Sequence, residues 1–225
     1  MTAQLFRGIA ERAVSMIPDG SVAGLGTGHA ATSFIHVLGK CVRAGLHVRG
    51  VPTSVGSANL ARDLGIPLTS FEEIDVIDVT VDGADEVDPH CNLIKGYHGA
   101  LVREKIVAAA SRKFVILVGP EKLVPALGGR GILPVEVLPF ALAPCRRLIQ
   151  ALGCVPQLRT REGASYVTDN GNNILDCKVA PLNNPQEMEL ALRAIPGVVG
   201  TGLFIGMVNT VLIQHRERIE ERTGQ

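Results

Sequence analysis

The sequence predicts an α/β fold: a doubly wound, mainly parallel sheet accompanied by a second, smaller ferredoxin-like α+β domain. Three observations lead there. Short apolar runs that read as buried strands alternate with amphipathic, helix-length segments through the first half of the chain. Charged residues and glycines stand directly after two of those runs, where open parallel sheets place their ligand crevice. Past Pro134 the texture shifts to the order strand, helix, strand, strand, helix, strand.

The elements follow in order. Leu5, Ile9, Ala13 and Ile17 recur every fourth residue, which gives an amphipathic first helix that Pro18-Asp19-Gly20 terminates. Val22–Leu25 reads as a strand, and Phe34, Ile35 and Leu38 mark the next helix. Leu46–Val51 is a second strand, and Ser54 is an N-cap for a helix through Leu64 that Gly65 closes. The run Ile74–Val81 is apolar enough for a strand buried on both faces. A helix over about residues 99–110 and a strand over Phe114–Val118 complete this half. Farther on, Val135–Val137 reads as an edge strand and Ala141–Leu152 as a helix. Strands are expected at 157–161, 166–168 and 174–179, with Asp169-Asn170-Gly171-Asn172 as a turn. Pro185–Ala194 is helical, and Val208–Ile213 returns to the first sheet. The charged tail from Arg216 reads as a solvated helix or frayed end. The expected boundaries are 1–132 plus 204–225 for the Rossmann-like domain and 133–203 for the smaller one.

Composition removes whole classes of function. Lys and Arg together number 22 and balance 22 Asp and Glu, so no basic excess draws nucleic acid. No run approaches the ~18 apolar residues that span a bilayer, and no basic segment leads into a secretory apolar region. Cys41, Cys91, Cys145, Cys154 and Cys177 are scattered without a CxxC pair, which suits reduced thiols in a cytoplasmic protein rather than zinc or redox chemistry.

Candidate chemistry concentrates in Asp82-Gly83-Ala84-Asp85-Glu86, then Lys95, then Glu104-Lys105. Burying so many ionisable groups together costs several kcal/mol unless they are paired or used. Singly, each acid has a plain reading as a loop cap or a surface helix residue. A second element, Gly24-Leu25-Gly26-Thr27-Gly28, joins a strand to a helix and is a candidate phosphate cradle of backbone amides and helix dipole, with a common glycine turn before a helix as its plain reading. It lacks the GxGxxG spacing of a nicotinamide site and the Gly-Lys-Ser/Thr of a Walker loop.

Long blocks then carry a resemblance. Besides the glycine loop, they include Pro52-Thr53-Ser54, Val81-Asp82-Gly83-Ala84-Asp85-Glu86-Val87-Asp88, Asn92-Leu93-Ile94-Lys95-Gly96 and Arg103-Glu104-Lys105-Ile106-Val107. Leu133-Pro134-Val135-Glu136-Val137, Val167-Thr168-Asp169-Asn170-Gly171-Asn172 and Ile195-Pro196-Gly197-Val198-Val199 continue the series. From about residue 5 to residue 214 the chain resembles ribose-5-phosphate isomerase of type A. The resemblance implies interconversion of D-ribose 5-phosphate and D-ribulose 5-phosphate without metal or organic cofactor, by a cytoplasmic homodimer or homotetramer. It implies Glu104 as base, Lys95 beside the developing oxyanion, and Asp82 and Asp85 on the sugar hydroxyls. Lys122 and the loop Thr27, Gly28, His29 and Ala30 would bind substrate, together with Gly83, Ala84, Gly96, Tyr97 and His98.

Three loops depart from the family pattern. Thr-Gly-Ser-Thr becomes Thr27-Gly28-His29-Ala30, and Asp-x-Ser-Lys becomes Gly119-Pro120-Glu121-Lys122. Lys-Gly-Gly-Gly-Gly becomes Lys95-Gly96-Tyr97-His98-Gly99. Glycine tolerates positive φ, so Tyr97 and His98 are expected either to strain that loop or to crowd the pocket. These changes keep two other readings open: an isomerase of a related sugar phosphate, and a non-catalytic sugar-phosphate-binding regulator.

Overall fold

A computed structural model describes residues 6–216 and 218–224. The chain divides into two compact units, one drawn from Met1–Ala84, Arg103–Lys122 and Gly206–Gln225, the other from Asp85–Val102 and Leu123–Ile205.

The first unit is a six-stranded sheet with Ile77–Gly83 inside it. The spatial order runs Ile219–Thr223, Thr210–Gln214, Ser111–Val118, Ile77–Gly83, Ser21–Leu25, Val48–Pro52. All neighbours are parallel except Ile219–Thr223, which pairs antiparallel at the edge. The helices Arg7–Val14 and His29–Arg43 bury Ile9, Ala13, Phe34 and Leu38 against Leu25, Val79, Val81 and Leu117 of the sheet. Each such fully buried aliphatic or aromatic side chain contributes about 1.5–3 kcal/mol. The opposite face carries Val22, Val51 and Ile77 against Val107 of the helix Leu101–Ala109. Cover on both faces buries Thr80 and Asp82 as well as Ile77, Val79 and Val81, although the residue types alternate along the strand. Leu5, expected to open the first helix, lies outside the described residues, and that helix stops at Val14 rather than reaching Ile17.

The second unit holds a four-stranded antiparallel sheet in the order Val198–Thr201, Ile132–Val137, Asn173–Lys178, Val155–Leu158. Numbered along the chain, those strands stand 4-1-3-2, and the helices Leu142–Ala151 and Pro185–Arg193 fall where a ferredoxin-like unit requires them. Cys145, Ile149 and Leu192 share one core with Leu133, Val135, Leu175 and Cys177. The sequence expectation drew this domain at 133–203; the compact unit that holds it takes in Asp85–Val102 and runs from Leu123 to Ile205. The reason is a small ribbon in which Leu93–Ile94 pairs with both Leu203–Phe204 and Glu86–Val87.

Three expectations are corrected. Val135–Val137 belongs to an interior strand, not an edge, with a partner on each side. Its mid-strand Glu136 is tolerated because Thr168 Oγ1, Asn170 Nδ2 and Asn172 Nδ2 all donate to Oε1 at 2.9–3.1 Å. The segment 166–168 is no strand; Thr160–Arg161 pairs instead with Ala164–Ser165 in a short exposed hairpin. The tail beyond Arg216 returns as Ile219–Thr223, whose charged side chains suit a sheet edge. Arg12 anchors it through Glu221 at 3.1 Å. No described helix is long and apolar enough to cross a membrane.

Candidate active site

Within the first unit, the parallel strands deliver their carboxyl ends to one edge of the sheet, and the residues singled out from the sequence follow those ends. Strand Ser21–Leu25 runs into Gly26-Thr27-Gly28 and then the helix His29–Arg43. Gly28 takes φ 102°, a conformation that favours glycine, and caps the helix without a side chain. The positive end of that helix dipole therefore belongs to this loop. Gly26 is required for a different reason: a Cβ there would stand 2.3 Å from the carboxyl carbon of Asp82.

Asp82 is the penultimate residue of the strand Ile77–Gly83 and is fully buried. Its Oδ1 accepts the N–H of Thr27 at 3.1 Å and of Gly83 at 2.7 Å. Thr27 Oγ1 lies 2.7 Å from Thr53 Oγ1 and donates to Ser54 Oγ at 2.8 Å. Ser54 in turn forms a capping box with Ser57 at the head of the helix Val55–Asp63. A carboxylate, two oriented amides and three hydroxyls are thus fixed before any ligand arrives. Glu104 sits in the first turn of the helix Leu101–Ala109 and is only 2% exposed. Lys122 closes the single turn Pro120–Lys122 after the strand Ser111–Val118 and is half-buried. His29 is exposed, whereas Ala30 is buried; Ala84 is half-buried.

In the second unit, Asp85 is buried, and its Oδ2 accepts the N–H of Tyr97 at 3.0 Å. Lys95 is 3% exposed, with its Nζ 5.7 Å from the centre of the Phe204 ring. A desolvated ammonium over an aromatic face is stabilised by the ring quadrupole. Its main chain is tied by a Lys95 N–H bond to the Gly202 carbonyl at 2.9 Å. Gly202 has no room for a side chain, since a Cβ would meet the Lys95 carbonyl oxygen at 2.3 Å.

The expected strain at Tyr97 and His98 does not arise. Gly96 and Gly99 take the positive φ angles of this loop, 111° and 85°, while the non-glycine residues with positive φ among those described are Cys91 and Glu162. Tyr97 packs its ring against the core of its own unit and donates its hydroxyl to the Ile132 carbonyl at 3.4 Å. Burial, then the nearby Asp85 and Glu86 carboxylates, push that hydroxyl's pKa up to about 12, so it stays protonated. His98 is exposed. Glu86, which reads like its acidic neighbours, is spent on structure: its oxygens accept the Gly128 and Arg130 N–H groups at 2.7 and 2.8 Å.

Sequence reasoning named Thr27, Asp82 and Gly83, and these meet. It did not assign Gly26, Thr53 or Ser54 a place beside them. The signal was present in Pro52-Thr53-Ser54, which directly follows the end of the neighbouring strand. Among the described residues, no three His, Cys, Asp or Glu side chains gather where they could hold a metal ion. Within the first unit, the buried carboxylates of Asp82 and Glu104 and the preset hydroxyls suit proton transfer on a polyhydroxylated substrate.

Known proteins resemble the chain over nearly its whole length. The family described as ribose 5-phosphate isomerase A (phosphoriboisomerase A) matches residues 49–218. A ribose-5-phosphate isomerase A from Gloeobacter violaceus is 47% identical over 215 residues, covering 95% of this chain and 94% of the relative. One from Bradyrhizobium diazoefficiens is 46% identical over 227 residues, with coverage of 96% and 94%. The solved ribose 5-phosphate isomerase A of Methanocaldococcus jannaschii superposes with a TM-score of 0.94 at 37% identity, over 99% of this chain and 100% of that one. A D-ribose-5-phosphate isomerase in complex with phospho-erythronic acid also gives 0.94 at 37% identity, over 98% of each chain.

Proposed function

The chain belongs to the ribose 5-phosphate isomerase A family, and from that premise we propose that it interconverts D-ribose 5-phosphate and D-ribulose 5-phosphate with Glu104 as the proton carrier. Aldose–ketose exchange moves one proton from C2 to C1 through an enediolate. Glu104 takes the C2 proton, the O2 proton passes to O1, and Glu104 returns its proton to C1. A positioned general base contributes roughly a 10²–10⁴-fold acceleration. Negative charge gathers on the substrate oxygens as the enediolate forms, and Lys95 is the cation that meets it. A cationic donor held out of water is effective there because little solvent screens it. Asp82 and Asp85 accept from the sugar hydroxyls and assist ring opening. Lys122 and the amides of the Thr27–Ala30 segment receive the phosphate, with Gly83, Ala84 and Gly96–His98 as further substrate contacts.

Burial of Glu104 is the observation that carries this reading: a carboxylate 2% exposed, four residues into a nine-residue helix, is costly unless it is paired or used, and it stands where the family resemblance puts the base. The phospho-erythronic acid of the solved neighbour is a phosphorylated sugar acid, and its carboxylate is a natural stand-in for enediolate oxygens. A reducing, cytoplasmic setting suits the five free cysteines, and the homodimer or homotetramer that the resemblance implies is read by sedimentation.

Product formation from ribose 5-phosphate and from other pentose and hexose phosphates, with wild type and Glu104→Gln side by side, tests the reading. Turnover of ribose 5-phosphate that is lost in the folded variant supports it. Equal turnover by both proteins would remove Glu104 as the proton carrier, and ligand-induced stabilisation of wild type without any turnover would end the reading in favour of a binding protein. Preference for another sugar phosphate would keep the chemistry and change the substrate.

A further inference from the structure

The loop that follows Lys95 is held from behind by a guanidinium. Arg159 stands just past the strand Val155–Leu158 and is paired with Asp176 of the adjacent strand Asn173–Lys178. The pairing is a fork on a fork: Nε donates to Oδ2 at 2.8 Å and Nη2 to Oδ1 at 2.5 Å. Both side chains are largely withdrawn from solvent, at 13% and 24% exposed. The remaining edge of the guanidinium is turned on the loop, where Nη1 donates to the carbonyls of Gly96 at 2.9 Å and Tyr97 at 3.2 Å. Tyr166 adds a second hold. Its ring lies 5.8 Å from the Arg159 guanidinium carbon, and a Cβ on Gly99 would meet its hydroxyl at 2.2 Å.

We propose that Arg159, oriented by Asp176, is a positioning residue that sets the Gly96–Gly99 loop and, through it, the reacting groups on either side. The loop begins at Lys95, and its Tyr97 N–H is the group that Asp85 accepts. A displaced Tyr97 peptide therefore withdraws a donor from Asp85 as well as moving the substrate surface. Planar geometry is essential here. Four donor contacts leave one guanidinium in two directions, which a lysine ammonium cannot reproduce. The inference rests on the proposed isomerase reading only in giving Lys95 and Asp85 work to do on the sugar.

The test combines kcat and KM for ribose 5-phosphate with amide hydrogen exchange over residues 95–99, in Arg159→Met and Arg159→Lys. Arg161→Met, at an exposed arginine two residues on, serves as the control. Misplacing a reacting group by about 1 Å costs up to roughly a hundredfold, so Arg159→Met is expected to lose about ten- to a hundredfold in kcat/KM. Faster exchange at 95–99 accompanies the loss, Arg159→Lys falls between, and Arg161→Met changes neither readout. A folded Arg159→Met with unchanged exchange and unchanged KM and kcat would overturn the proposal, as would full rescue by lysine. If Arg159→Met does not fold, Asp176→Asn carries the same comparison. Should wild type not turn over ribose 5-phosphate at all, the isomerase reading fails, while the exchange readout still decides whether Arg159 orders the loop.

Discussion

Gly26→Ala puts one carbon where the structure has no space for it. The added Cβ would lie 2.3 Å from both Cγ and Oδ1 of Asp82 and 2.7 Å from its Cα. Ordinary carbon contacts are about 3.5–4.0 Å, so more than 1 Å of separation must be found. Rotating the Asp82 side chain relieves only part of it, because Cα belongs to the central strand Ile77–Gly83. If the carboxylate swings away, it abandons the Thr27 and Gly83 amides at 3.1 and 2.7 Å. Hydrogen bonds to a charged group are worth about 1.5–3 kcal/mol each. If the strand ends part instead, overpacking costs about 1–3 kcal/mol. The cheaper of the two routes leaves a loss of about 2 kcal/mol, or a Tm lower by roughly 4–8 °C for a chain of this size. Activity is expected to fall further than stability, by about a hundredfold in kcat/KM, since Asp82 is displaced from its preset position. Thermal unfolding and isomerase kinetics on one preparation read both. An alanine variant with a Tm within about 2 °C of wild type and full activity would show that Asp82 has slack and is not held by this loop.

Two further predictions concern the same residues from other sides. Thr27→Val keeps the shape but removes the hydroxyl that contacts Thr53 and Ser54. It is expected to cost about 1 kcal/mol in urea unfolding and to raise KM more than it lowers kcat. Tyr97→Phe tests the raised hydroxyl pKa of about 12. An unfolded tyrosine ionises near pH 10, so between about pH 10 and 12 the unfolded chain releases a proton that the folded chain keeps, and stability falls as pH rises. Urea unfolding at pH 9 and again near pH 11.5 should show wild type losing more stability than Tyr97→Phe; equal losses would contradict the burial argument.

Much of this was legible in residue order. Ile77, Val79 and Val81 mark Ile77–Gly83 as a strand by their spacing, and all three are buried. The order strand, helix, strand, strand, helix, strand carried through to the 4-1-3-2 sheet. What could not be read was whatever depends on distant partners. Glu136 looked like an edge residue because its three donors lie 32 to 36 positions away along the chain. Glu86 looked like Asp82 and Asp85, yet its partners are loop amides more than 40 residues on. Tyr97 and His98 raised a concern about φ that residue type alone cannot settle, since the flanking glycines absorb the unusual angles. The tail strand Ile219–Thr223 was hidden by its charges, which suit an edge as well as a free end.

The carbon-bound proton is the most direct witness to Glu104. Ribose 5-phosphate deuterated at C2, converted by wild type in ordinary water, should yield ribulose 5-phosphate with much of the label washed out to solvent, because a carboxyl proton exchanges between its removal from C2 and its delivery to C1. Glu104→Gln, folded and with its Tm kept, should show neither wash-out nor conversion above background. Complete retention of deuterium at C1, at a rate that the glutamine variant matches, would mean that hydrogen passes directly between the two carbons and that Glu104 carries nothing.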